Sequence, residues 1–308
     1  MEFTVPYRLH EIESPIPDFH ENLRVVLLGT GSPRAYLNRS KAAALILAGH
    51  DAFLLDCGGA VVDQLLRAGM YPHRINDVFF THHHSDHNSG FFDFFISSWR
   101  SHVGIVRGRS VPLRVYGPTS TRAVIGKMRE GFEYDVSLRI GYNKSDAAAA
   151  EIVYTEQNSG VIYDKNGVKV TVFEVDHRPV QPALGYVFEY NGKKVVLSGD
   201  TRPVPAMVEH ARNADLLIHD ALQKDWLDAI AEANPDEAIQ VRNPQKYHTT
   251  TLEAARIARD ADVKKLVLTH LIPPPAPDAE SEGAFVEGMD AIYPGPIVVA
   301  RDLMVFDV

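Results

Sequence analysis

The sequence predicts an α/β (α+β) protein in which two mixed β-sheets pack together between flanking helices. Three observations predict this. Runs with strand character outnumber runs with helical spacing. Strand pairs joined by tight turns are interleaved with strand–helix–strand units. No linker or internal repeat divides the chain, so residues 1–23 read as an irregular, proline-containing lead-in and 24–308 as a single domain.

The elements follow in order. LRVVLLGTGSP opens with a β-branched strand over 24–28 that ends in a glycine turn, and AAALILAGHDAFLLDCGG carries two strands about a turn at Gly49–His50. AVVDQLLRAGM has helical spacing with a stop at Gly69. INDVFFTH is a strand that runs straight into a histidine cluster, and GFFDFFISSWR is a helix beyond it, with Phe91, Phe92, Phe94, Phe95 and Trp99 read mainly as core. VPLRVYGP is a strand and TSTRAVIGKMREGF a helix, whereas 137–166 is polar, Ala- or Asn-rich and shows no clear period. GVKVTVFEVDH alternates as a strand, and ALGYVFEY with KKVVLSGDT makes a hairpin about Asn191-Gly192, a dipeptide suited to a two-residue turn. VPAMVEHARNADLLIHDA is a helix followed by a buried strand. TTTLEAARIARDADVKKLVLTH repeats that plan with a threonine cap and a strand ending in His270. GPIVVARDLMVFDV closes the chain with a strand pair.

Bulk composition narrows the function. The 308 residues carry a net charge of −9, which disfavours a default nucleic-acid binder. Cys57 is the single cysteine, so no intramolecular disulfide forms and no thiolate-rich structural zinc site exists. The first residues hold no apolar signal core and no run is long enough to span a membrane. These features point to a cytoplasmic enzyme-sized domain, with a homodimer as an allowed assembly.

The informative pattern is the residues at the strand ends. DVFFT leads to His82, His84, Asp86 and His87; VTVFEV ends at His177, KVVLSG at Asp200 and KLVLT at His270. An α/β sheet commonly opens into its site at the C-terminal ends of its strands. In extended chain His82 and His84 point the same way and His83 away, while the adjacent Asp86 and His87 diverge toward a second centre. This assigns His82, His84 and His177 to one metal ion and Asp86, His87 and His270 to another, with Asp200 bridging. Imidazole with carboxylate suits two Zn²⁺ per chain best, and Mn²⁺ or Fe is also compatible. Such a pair of ions lowers the pKa of bound water to about 7 and stabilises an anionic transition state. Asp86 is therefore both a ligand and a catalytic candidate.

THHHSDH resembles the H-x-H-x-D-H motif of the metallo-β-lactamase superfamily, and DHRPVQPALGY, LSGDT and VLTH resemble its later ligand motifs in the same order. GTGSP, LLDCG, GDTRP, LLIHDA and HTT are similar to the ribonuclease Z and arylsulfatase-like branch, over roughly residues 24–272. The resemblance implies an αββα sandwich with a dinuclear metal site at one edge. It further implies that His248 protonates the leaving group, that Asp220, where the family usually has glutamate, orients His248, and that Asp56 orients metal-bound histidines. GTGSP is read as a structural turn, since Arg34 breaks the dinucleotide fingerprint. Arg100, Arg107, Arg109 and Arg114 are read as a solvated basic face, and His219 as a buried strand-end residue.

The reaction expected first is hydrolysis of a small ester: a phosphodiester, a sulfate ester or a lactone. A tRNA 3′-processing ribonuclease Z comes second, because the two-residue turn at Asn191-Gly192 leaves no room for that family's tRNA-gripping arm. A non-catalytic binding domain comes third, and the complete ligand set argues against it.

Overall fold

The structure, a computed structural model, describes residues 19–100 and 108–308. The first half of the chain runs β1 (His20–Gly29), β2 (Ala43–Gly49), β3 (Asp51–Leu55), α1 (Val61–Arg67), β4 (Asp77–Phe79), α2 (Ser85–Asn88), α3 (Phe91–Trp99), β5 (Leu113–Gly117), α4 (Thr121–Gly131), α5 (Glu133–Gly141) and β6 (Ile152–Glu156). The second runs β7 (Gly160–Lys165), β8 (Val168–His177), β9 (Val180–Tyr190), β10 (Lys193–Leu197), α6 (Pro205–Ala211), β11 (Leu216–Leu222), α7 (Lys224–Ala233), α8 (Ala238–Arg242), α9 (Thr251–Asp260), β12 (Leu266–Ile272), α10 (Ala279–Phe285), β13 (Ile297–Val299) and β14 (Val305–Asp307).

Among the described residues these strands form two 7-stranded sheets, in the orders β14-β1-β2-β3-β4-β5-β6 and β13-β12-β11-β10-β9-β8-β7. Each is mixed in the same way. In the first, pairings are antiparallel from β14 to β3 and parallel from β3 to β6. In the second they are antiparallel from β7 to β10 and parallel from β10 to β13. The two halves thus repeat one plan that no sequence repeat announces.

Strand alternation builds three packed layers. Val25 and Leu27 of β1, Ile46 of β2 and Phe53 of β3 turn between the sheets, where they meet Val170, Tyr186 and Phe188. Val26 and Leu28 turn outward onto α1 and α3 through Val61, Leu65, Phe94 and Phe95. Beyond the second sheet, Val196 and Leu217 meet Met207 of α6 and Ala254, Ala255 and Ala258 of α9. Small residues on α9 let it lie close to the sheet, and Thr250 caps it reciprocally with Glu253. Fully burying a ring such as Phe79 or Phe188 contributes roughly 1.5–3 kcal/mol. The sandwich of two mixed sheets between helices is as the sequence predicts.

Several details differ. Residues 20–23 are not lead-in: β1 starts at His20, opposite Gly49, and a bulge between His20 and Arg24 hides the alternation of its first residues. Residues 1–18 and Arg107 lie outside the described residues. The stretch 137–166 holds the end of α5 and the strands β6 and β7, both edge strands with half-exposed faces. The closing strands do not pair with each other, since β13 joins β12 and β14 joins β1 in the other sheet. Arg109 is not on a solvated face. It is buried, its Nη1 donates to the carbonyl of Ala149 at 2.8 Å, and burial lowers its pKa to about 10.

Candidate metal centre

The ends of β4, β8, β10 and β12 meet at one edge of the sandwich. After β4 the chain bends at Thr81, is extended at His84, which has φ −67° and ψ 151°, and then enters the single helical turn of α2. Extended geometry sends His82 and His84 to one side and His83 to the other, where His83 Nε2 lies 2.9 Å from Thr121 Oγ1. The turn of α2 then swings Asp86 and His87 inward, anchored by a hydrogen bond from Cys57 N to His87 O of 2.7 Å. Gly90 closes the motif because there is no room for a side chain: a Cβ there would stand 2.2 Å from Gly58 O.

His270 reaches the site by an irregularity of the sheet. Asp220 opposes Thr269 and Ala221 opposes Leu271, so His270 is an extra residue in β12, and its φ is +47°. Strand β12 also continues two residues past the end expected at His270. Asp200 follows Gly199, whose φ of +62° lets the chain leave β10 past Leu184 O.

All seven expected ligands converge. Ligand atoms of His82, His84, His177 and Asp200 lie within 4.8 Å of one another, as do those of Asp86, His87 and His270. Asp200 joins the two groups: its Oδ2 is 3.8 Å from Nε2 of both His82 and His177, and 3.3 Å from Nε2 of both His87 and His270. His84 presents Nδ1 instead, 3.0 Å from His82 Nε2 and 3.2 Å from His177 Nε2.

Outer groups fix the tautomers. His87 Nδ1 donates to Asp56 Oδ2 at 2.7 Å, and His177 Nδ1 donates to Tyr247 O at 3.0 Å. His82 Nδ1 donates to Thr81 Oγ1 at 3.0 Å, and Thr81 Oγ1 donates to Asp56 Oδ2 at 2.8 Å. Asp56 itself sits at φ +57°, a strained position for a residue other than glycine. Thr81 and the carbonyl of Tyr247 escape a reading of the sequence. Thr81 occupies the strand-end position just before the histidines, which is the one signal available for it.

The electrostatics match a cation site. Burial pushes His82, His84 and His177 down, toward the neutral, metal-binding form. Burial also opposes the charge on Asp200, yet His270 and His87 hold its carboxyl well below the usual range. Burial acts against protonation of His87, but Asp200 and Asp56 outweigh it and raise that imidazole. His87 Nε2 is buried with no hydrogen-bond partner, directed at the two carboxylates. Nitrogen and carboxylate donors converging around such an orphaned atom fit divalent metal.

His248 and Asp220 form a second constellation beside the first. His248 Nδ1 donates to Asp220 Oδ2 at 2.8 Å, and the His248 ring stacks on His270 with centroids 5.2 Å apart. His219 is buried, as expected, but it lies in the middle of β11 and not at its end, with Nδ1 3.0 Å from Asp220 Oδ1. The centre opens into a cleft of ≈ 350 Å³ lined by His84, Asp86, Asp200 and His248. Part of its wall comes from 223–247, where α7 and α8 bring Leu227, Ile230 and Val241, a segment whose short helices leave no long period to read.

Comparison with known proteins follows the geometry. Residues 52–271 match the family model of the Beta-lactamase superfamily domain. Ribonuclease Z of Mycobacterium bovis (strain BCG / Pasteur 1173P2) is 33% identical over 281 residues, 91% of this chain and 96% of the relative. Ribonuclease Z of Mycobacterium sp. (strain KMS) is 36% identical over 260 residues, 84% of this chain and 88% of the relative. Among solved structures, the metallo-beta-lactamase fold protein YhfI from Bacillus subtilis superposes with a TM-score of 0.68 at 18% identity, covering 93% of this chain and 100% of that one. Human tRNase Z, short form, gives 0.65 at 23% identity, covering 92% and 98%.

These relatives overturn the expectation of a small-molecule ester as partner, with tRNA disfavoured. The tight hairpin behind that expectation is present, with Tyr190 opposite Lys193. Neither that turn nor overall charge decides the substrate, because a whole-chain charge of −9 does not report the local potential at a site lined by candidate metal ligands.

Proposed function

This chain belongs to the metallo-β-lactamase superfamily and is a metal-dependent hydrolase of ester bonds, and on that premise we propose that it is a ribonuclease Z-type endonuclease that cleaves a phosphodiester in precursor tRNA during 3′-processing. The observation that carries the chemistry is Asp200 Oδ2, placed between two histidine groups at 3.3–3.8 Å. The substrate class rests on the 33% identity to Ribonuclease Z across 91% of the chain.

In this reading His82, His84 and His177 hold one divalent ion, Asp86, His87 and His270 a second, and Asp200 both, with Zn²⁺ as the natural occupant. Bound there, such ions polarise a phosphoryl oxygen and lower the pKa of water to about 7. The side chains do the rest. Asp56 and Thr81 hold the rings of His87 and His82 by their Nδ1 atoms, so that each Nε2 is aimed inward. His248 holds a proton at the cleft wall for the departing ribose oxygen, and Asp220 fixes its tautomer so that Nε2 faces the cleft. No helix among the described residues is long and apolar enough to cross a bilayer.

The test is direct. Zinc-loaded protein incubated with a precursor tRNA bearing a 3′ trailer should release the trailer by one endonucleolytic cut, and EDTA should abolish it. An intact precursor in the presence of stoichiometric zinc would refute the proposal.

A further inference from the structure

We propose that Arg34 and Tyr36 read the RNA strand beside the scissile bond, Arg34 by pairing with a neighbouring phosphate and Tyr36 by stacking on the adjoining base. The inference rests on the function proposed above and adds to it the residues that recognise the strand.

Both lie on the loop between β1 and β2, and that loop is held at several points. Lys41 Nζ donates to the carbonyls of Ser32 at 2.9 Å and Arg34 at 2.7 Å, and also to that of Pro33. Asp302 accepts from the backbone N–H of Thr30 at 2.9 Å and of Ser40 at 2.6 Å. The buried Arg39 donates to Thr30 Oγ1 at 2.8 Å and Ala300 O at 2.6 Å. The crest from Arg34 to Leu37 is therefore presented to solvent from a fixed frame, and Arg34 and Tyr36 line the same cleft as His84, Asp86 and Asp200.

Charge singles out Arg34. It is the one Lys or Arg side chain among the lining residues of that cleft, and it has no carboxylate partner among the described residues. Arg178 and Arg202, the guanidinium groups next along the chain to His177 and Asp200, are both tied to Asp176 and hold its carboxyl below the usual range. A planar guanidinium left free at the mouth of a phosphodiester site matches a phosphate. The remaining lining includes Leu227, Ile230, Val241 and Pro244, so the flat face of a base meets apolar surface and the Tyr36 ring.

The experiment compares zinc-loaded wild type, Arg34→Ala, Arg34→Lys and Tyr36→Leu on precursor tRNA and on bis(p-nitrophenyl) phosphate, a diester too short to reach the loop. Arg34→Ala should raise KM on precursor tRNA about tenfold or more, and flatten the slope of log kcat/KM against log salt by about 0.7. Its turnover of the short diester should stay within about twofold of wild type, which also reports an intact fold. Arg34→Lys should restore the salt slope. Tyr36→Leu should leave the slope alone but weaken the quenching of 2-aminopurine placed on either side of the cut. Unchanged KM and salt slope in Arg34→Ala, with wild type cutting RNA normally, would overturn this inference and leave the function standing. Equal losses on both substrates would also overturn it, by placing Arg34 in the chemistry or the fold. A wild type that cleaves the short diester and no precursor would remove both.

Discussion

Asp220 Oδ2 stands 2.8 Å from His248 Nδ1, and both side chains are buried beside the histidine cluster. The contact assigns the proton on Nδ1 and leaves Nε2 as the atom that can face a leaving group. His248→Ala should therefore slow cleavage of RNA, whose ribose oxygen leaves poorly, by about 10²- to 10⁴-fold. Hydrolysis of an aryl phosphodiester, whose leaving group needs no proton, should fall far less. Zinc content measured by plasma mass spectrometry should not change. Equal losses on the two substrates would remove His248 from the acid role.

Asp200 should govern the loading of both ion positions, since one of its oxygens serves both groups. Asp200→Ala should leave well below one zinc per chain after gel filtration, against about two in wild type. His84→Ala, which removes a ligand from one group only, should retain about one. Retention of two ions by Asp200→Ala would show that the carboxylate does not bridge.

Asp56 is expected to act through the histidine it orients. Its Oδ2 accepts from both His87 and Thr81. Asp56→Asn keeps a residue type that tolerates the left-handed backbone at φ +57° but loses the charge. Metal affinity in a competitive chelator titration should drop about 10- to 100-fold with the melting temperature little changed. An unaltered affinity would reduce Asp56 to a turn residue.

Much of this centre is legible in the sequence because strand ends are legible. DVFFT, VTVFEV, KVVLSG and KLVLT each announce a strand, and each is followed by a ligand type, so position alone marks His82, His177, Asp200 and His270. The spacing of His82 and His84 then follows from the two-residue period of extended chain. What stays hidden is whatever depends on contact across the fold. Thr81 looks like any strand threonine until Asp56, 25 residues earlier, is seen to accept from its hydroxyl. The edge strands β6 and β7 carry half-exposed faces and so show no clean alternation. Arg109 reads as solvated because its carbonyl partner at Ala149 comes from a segment 40 residues away. The preference for a small substrate failed for a related reason: absence of one insertion and net charge are properties of the chain, whereas substrate choice belongs to the cleft.

His83 predicts a pH effect on stability. Burial is the main cause that lowers its pKa from 6.5 to about 4, with Glu156 opposing. The unfolded chain thus takes up this proton near pH 6.5 and the native protein only near 4, so its stabilising contribution is complete above 6.5 and is lost as the pH falls toward 4. The difference is worth at most roughly 3 kcal/mol. Urea unfolding at pH 7 and pH 5 should show a smaller loss for His83→Gln than for wild type. Parallel losses in the two proteins would contradict it.

The positive φ of His270 and the slipped pairing around it have a consequence for how this fold can change. A shorter β12, without the surplus residue, would form the more regular ladder. It would keep Leu271 opposite Ala221 and Ile272 opposite Leu222, and withdraw only the imidazole from its place. Thermal selection alone would then favour sequences that are steadier and inert, so persistence of the kink is a signature by which working members could be told from silent ones.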